Sequence, residues 1–151
     1  MTAGTRSTGH AIPGGTTWGA LPTNLILTPA PGDPAHEIEG PAADSSVLAL
    51  VRQVGRGLLV TDHWYTRVLD PRTLVMTGLT RNGVWLIENG EIVRPVRNLR
   101  FTQSYPQALA PGAVRGVGSH AAPGVADWNA ASYAAPGLHL ADWHFTGGAS
   151  G

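Results

Sequence analysis

The 151-residue chain contains neither cysteine nor lysine. Without cysteine there are no disulfides, no thiolate nucleophile and no sulfur-ligated zinc, and the composition fits a reducing compartment, so a cytoplasmic location is expected. Without lysine a Walker A loop, a Schiff base and a Ser-Lys dyad are all excluded. Charge of either sign is also lacking in excess, since ten acidic residues balance ten basic ones, every one of the latter an arginine. A net charge of zero offers no general attraction to nucleic acid or to an anionic membrane surface, and neither is expected as a partner. No apolar run approaches the roughly 18 residues of a membrane-spanning helix, and the Gly/Thr-rich first stretch has no apolar core for a secretory signal.

What the chain has instead is glycine and proline, 20 and 12 of them, gathered toward its two ends. Residues 1–44 carry Pro13-Gly14-Gly15, Pro22, Pro29, Pro31-Gly32, Pro34 and Gly40-Pro41 around one short apolar strand, Asn24-Leu25-Ile26-Leu27. This is a long irregular lead for a free-standing domain. A helix is then expected from Asp44 or Ser45, with Val47, Leu48, Val51 and Val54 on its apolar face and Gly55 and Gly57 stopping it.

Gly57 to Tyr65 reads as a strand, Arg67-Val68-Leu69 extends it to a turn at Asp70-Pro71-Arg72, and Leu74 to Thr80 returns antiparallel. Two Asn-Gly pairs, Asn82-Gly83 and Asn89-Gly90, supply the positive φ angles of hairpin turns and place strands over Val84–Ile87 and Ile92–Val96, the latter at an edge because of Pro95. Thr102 or Ser104 with Pro106 opens a second helix through Leu109, ended by Pro111-Gly112. The Gly/Ala/Pro-rich stretch 111–137 reads as loop, followed by a last strand from Leu138 to Phe145 and a flexible tail. The expected fold is mainly β (α+β): one domain over 1–151, with an antiparallel meander or barrel-like sheet, two helices and Gly/Pro-rich ends.

Three stretches in order resemble the C-terminal domain of the TldD/PmbA family, zinc peptidases also described as modulators of DNA gyrase. The first is Ser7-Thr8-Gly9-His10-Ala11 with Pro22-Thr23-Asn24-Leu25; the second runs from Gly57 to Phe101; the third is Phe145-Thr146-Gly147-Gly148. The middle stretch is the specific one, and its motif positions are Thr61, Trp64, Tyr65, Thr66, Asp70, Pro71, Gly78, Arg81, Gly83, Asn98 and Phe101, without an assigned role. The resemblance implies a subunit of a two-part peptidase that acts on peptides and dimerises with a homologous subunit. Catalytic members carry an H-E-x-x-x-H helix upstream of the matched region, and this chain begins after it. In the catalytic branch a cysteine near the C-terminus completes the metal site, and here there is none. The chain is therefore expected to hold no cofactor and not to catalyse alone, zinc belonging to the catalytic partner or to an upstream segment. The alternative is a non-catalytic interaction module, or a truncated remnant without independent activity.

The residues themselves support no other active site. His36-Glu37 starts a zincin-like pattern, but Gly40 and Pro41 stand where the second histidine would be needed. His139 and His144, five apart on one expected strand, point to opposite faces and would not converge on an ion. Gly116 to His120 has the wrong spacing for a G-x-S-x-G nucleophile elbow and reads as a Gly-rich loop. Arg94, Arg97 and Arg100 read as a solvated strand edge, or as partners for a carboxylate of another subunit or a peptide. Trp64, Tyr65, Trp85, Trp143 and Phe145 are expected in the core.

Overall fold

A computed structural model describes residues 24–28, 43–126 and 131–148. In them the chain is mostly strand. A short strand β1 (Asn24–Ile26) is followed by helix α1 (Ala43–Val51), then β2 (Arg56–Asp70), β3 (Val75–Glu88), β4 (Glu91–Pro95) and β5 (Leu99–Ser104). The short helix α2 (Tyr105–Ala108) leads to β6 (Val114–Ala126), β7 (Ala131–Leu140) and β8 (Phe145–Gly148). The strands form two open sheets, not a closed barrel. One has five strands in the order β2-β3-β5-β8, with β4 also on β3; the other has the order β1-β7-β6.

The five-stranded sheet is antiparallel throughout, and β3 is its axis: β2 pairs along its whole length, while β4 takes its second half and β5 its first. Local sequence explains the β3–β4 turn, where Asn89 and Gly90 adopt φ of 50° and 79°, the left-handed geometry a two-residue hairpin demands. The other Asn-Gly pair does not turn the chain. Asn82 has φ of 60°, but β3 runs on through it, and the register slips by one residue opposite Thr61. A left-handed Asn serves a bulge as well as a turn, and here cross-strand pairing on both sides decides for the bulge.

The largest departure from the sequence reading is the stretch after Gly112, which forms the β6–β7 hairpin instead of loop. Its glycines conceal the strand, and α1 packs directly on one of them. A Cβ on Gly116 would lie 2.9 Å from Leu50 Cδ2, whereas one on Gly137 would make only ordinary contact with Leu50 and Val47. Glycine inside a strand marks such a close approach. On α1, Leu50 and Val51 are buried while Leu48, assigned to the apolar face, is exposed. Beyond α1, Val54 O and Gly55 O accept hydrogen bonds from Gly90 and Asn89 N–H, which ties the helix end to the β3–β4 turn.

The expected last strand is two pieces in two sheets. β7 ends at Leu140, the chain crosses over, and β8 starts at Phe145 on the edge of β5. Likewise Arg94 lies on β4, Arg100 on β5 and Arg97 between them, so the three do not share one strand. No helix among the described residues is long and apolar enough to cross a membrane.

Candidate functional site

Phe101, on β5, has no exposed surface. It faces Gly78 directly across the ladder, where a Cβ would sit 2.8 Å from its ring and 3.1 Å from Trp64 O. His63 joins it at 4.6 Å between ring centroids, Trp143 stacks on His63 at 5.1 Å and 14°, and Tyr105 meets Trp143 at 5.8 Å. The nest thus gathers residues from β2, β5, α2 and the β7–β8 crossover. Burial holds the His63 imidazole below its ordinary pKa, against a smaller opposing pull from the Asp62 carboxylate. Burial also raises the Tyr105 phenol.

Polar groups pin the crossover to the sheet beside the nest. Thr102 N–H donates to His144 O at 3.0 Å, and His144 N–H donates to Gln103 Oε1 at 2.8 Å. Gln103 Nε2 donates in turn to Ser104 O at 3.1 Å, and His144 Nδ1 lies 3.1 Å from Thr102 O. The buried Gln103 amide is therefore used at both ends, while Trp143 Nε1 is buried without a partner. None of these bonds involves His63, so the nest is a packing arrangement and not an acid–base pair.

The eleven motif positions fall into three groups. Gly78, Gly83, Asn98 and Phe101 build the sheet: the Trp85 ring covers Gly83, and Asn98 Oδ1 accepts from the buried Thr80 hydroxyl, which itself accepts from Leu99 N–H at 2.9 Å. Asp70 and Pro71 make the β2–β3 turn, the Asp70 carboxylate accepting from Arg72 N–H and Thr73 Oγ1. Those bonds, Thr73 first and Arg72 next, lower the Asp70 pKa.

Thr61, Trp64, Tyr65, Thr66 and Arg81 occupy the irregular part of β2 and the strand beside it. Thr61 Oγ1 donates to Gly83 O at 3.2 Å. Tyr65 and Thr66 together oppose the single Gly78, one residue in excess, and Tyr65 takes φ of 53°, strained for an aromatic residue. Tyr65 is 59% exposed, contrary to its expected place in the core, while Trp64, Trp85, Trp143 and Phe145 are half-buried. Arg67 stands over the Tyr65 ring at 4.0 Å and Arg81 over the Trp64 ring at 4.8 Å.

Sequence reasoning did not see the nest, because His63, Phe101, Tyr105 and Trp143 lie on four separate elements and no spacing rule links them. Nor do the histidines assemble elsewhere: His139 and His144 lie on opposite sides of the crossover, and His120 is exposed on β6. His10 and His36-Glu37 lie outside the described residues. Among the described residues no three His, Asp or Glu side chains come together as a metal site. Ser119-His120 sits within β6, not at the strand-to-helix turn of a nucleophile elbow.

No match is found among curated proteins. A family profile does match, that of the PmbA/TldA metallopeptidase C-terminal domain, over residues 1–147. The match takes in both sheets and the crossover that joins them, and the chain accordingly belongs to the PmbA/TldA metallopeptidase C-terminal domain family.

Proposed function

We propose that this domain is the non-catalytic part of a PmbA/TldA-type peptidase, walling a substrate chamber and joining a homologous subunit, with peptides as the substrate class. In this reading the metal-binding helix and its zinc come from a catalytic partner or an upstream segment, and the whole works in the cytoplasm. Among the described residues no group of His, Asp or Glu side chains could hold a metal ion.

The observation that carries the proposal is the edge of the five-stranded sheet. β2 is its terminal strand and is fifteen residues long. From Arg56 to Trp64 its pairing with β3 shifts register once, between Val60 and Asp62, where the extra residue belongs to β3, and the bulge at Tyr65 and Thr66 follows. Such an edge takes an extended peptide as an added strand, and backbone pairing makes the binding tolerant of sequence. Bulges elsewhere on β2 bend the edge away from further pairing.

The test mixes the chain with a homologous subunit that retains the metal helix and measures zinc content and peptide hydrolysis. Hydrolysis gained only on mixing, and weaker binding of a peptide methylated at alternate backbone nitrogens, is the expected result. Stoichiometric zinc together with hydrolysis by the chain alone would overturn the proposal.

A further inference from the structure

The face of the five-stranded sheet opposite the aromatic nest is arginine-rich. Residues paired directly across neighbouring strands share a face, and the ladder aligns Trp64 with Leu79 and Arg100, Asp62 with Arg81, and Arg67 with Thr77 and Thr102. Alternation along β3 puts Thr77, Leu79 and Arg81 on that same face. His63, paired with Thr80, and Phe101, paired with Gly78, point the other way. Arg67, Arg81 and Arg100 are all exposed. Of the carboxylates aligned with them, Asp62 Oδ2 already accepts from Asn82 Nδ2 at 2.7 Å, and Asp70, paired with Val75, accepts from Arg72 N–H and Thr73 Oγ1.

Two of the guanidinium groups are held in a definite way. Arg81 lies on the Trp64 ring and Arg67 on the Tyr65 ring. A guanidinium held over a ring by cation–π attraction keeps N–H donors for other partners. Among the described residues those donors meet no carboxylate, the ion pair being Arg56 with Glu88 at 3.7 Å. Unused planar forks match carboxylates, which accept two parallel N–H bonds.

We propose that this face binds an acidic segment of polypeptide, its carboxylates read by Arg81, Arg67 and Arg100. Nucleic acid is the poorer fit. A base needs an open ring to stack on, and the Trp64 and Tyr65 rings each already carry a guanidinium. The site lies on the sheet face and not on the β2 edge, so it stands whether or not a peptide pairs with that edge.

The experiment measures fluorescence anisotropy of a labelled peptide alternating glutamate and serine, and of its glutamine–serine counterpart, against the full 151-residue chain. At low salt the acidic peptide should bind about tenfold more tightly, the scale of one charge-assisted hydrogen bond. The R81Q/R100Q double variant should lose that preference, whereas R115Q, an exposed arginine on β6, should keep it. Circular dichroism of each variant establishes that the sheet is intact. Equal binding of the two peptides, no binding of the acidic one, an equal loss in R115Q, or tighter binding of single-stranded oligothymidylate would each overturn the proposal.

Discussion

The imidazole of His63 lies against the indole of Trp143, centroids 5.1 Å apart and planes within 14°. The two residues are separated by most of the sheet's sequence, and their contact fastens the crossover before β8 onto β2 of the five-stranded sheet. Trp143→Ala removes that fastening together with the contacts to Phe101 and Tyr105. The expected loss is about 2–3 kcal/mol, below that of a fully buried tryptophan because Trp143 is half-buried. Urea unfolding measures it, and a change under 1 kcal/mol, roughly that of a surface substitution, would mean that the nest contributes little.

Acid should weaken the fold through the same ring. His63 has its pKa lowered from 6.5 by burial, and so does His139, burial acting first and Arg115 second. In the unfolded chain these imidazoles take up a proton as pH falls through 6.5, while in the folded chain they stay neutral to lower pH. Stability is therefore complete above about 6.5 and declines below it, levelling off beneath the folded values. His63→Phe keeps a ring in the nest and should flatten part of that decline. Melting temperatures recorded between neutral and mildly acid pH check it, and an unchanged slope in the variant would remove His63 as the cause.

Two glycines separate the cost of a backbone angle from the cost of a contact. Gly90 and Gly112 have φ of 79° and 84°, but a Cβ on Gly90 would lie 2.8 Å from Arg52 O, whereas one on Gly112 meets nothing within 4 Å. Gly112→Ala should cost about 1 kcal/mol from the left-handed angle alone. Gly90→Ala should cost about 2–3 kcal/mol, because backbone on the helix side cannot move aside cheaply. Equal losses in denaturant titrations would show that the β3–β4 turn is not pressed against the end of α1.

Phe101 and Gly78 form one packing unit. Phe101→Ala should cost about 3–5 kcal/mol as a deletion at a fully buried ring, and Gly78→Ala about 1–3 kcal/mol by pushing that ring out of place. Because the two changes act on the same space, the double variant should be less destabilised than the sum of the single ones. Strict additivity in unfolding free energies would contradict the close approach seen here.

Several parts of the fold were legible in the residues. Asn89-Gly90 and Asp70-Pro71 mark turns and Pro106 a helix start by local dihedral preference, and all three act where they stand, while Ser104 precedes that helix without a side-chain cap bond. The motif order that resembled a known family was legible too, and the profile match bears it out. The eleven motif positions carried no assigned role in the sequence, and in the structure they divide among sheet packing, a turn and the irregular part of β2 with the strand beside it.

What the sequence determined by itself is the local part: the β-rich character, the turns set by Asn, Gly and Pro, and the limits set by absent cysteine and lysine. Tertiary structure decided the rest. It made Asn82-Gly83 a bulge because β2 pairs on both sides of it, and it made the Gly-rich stretch after Gly112 a hairpin because α1 packs where side chains would otherwise be. It also brought His63, Phe101, Tyr105 and Trp143 into one nest and Arg67, Arg81 and Arg100 onto one face. The physical reason is common to all of these: a backbone dihedral preference acts over two or three residues, whereas burial and cross-strand register join residues far apart in the chain.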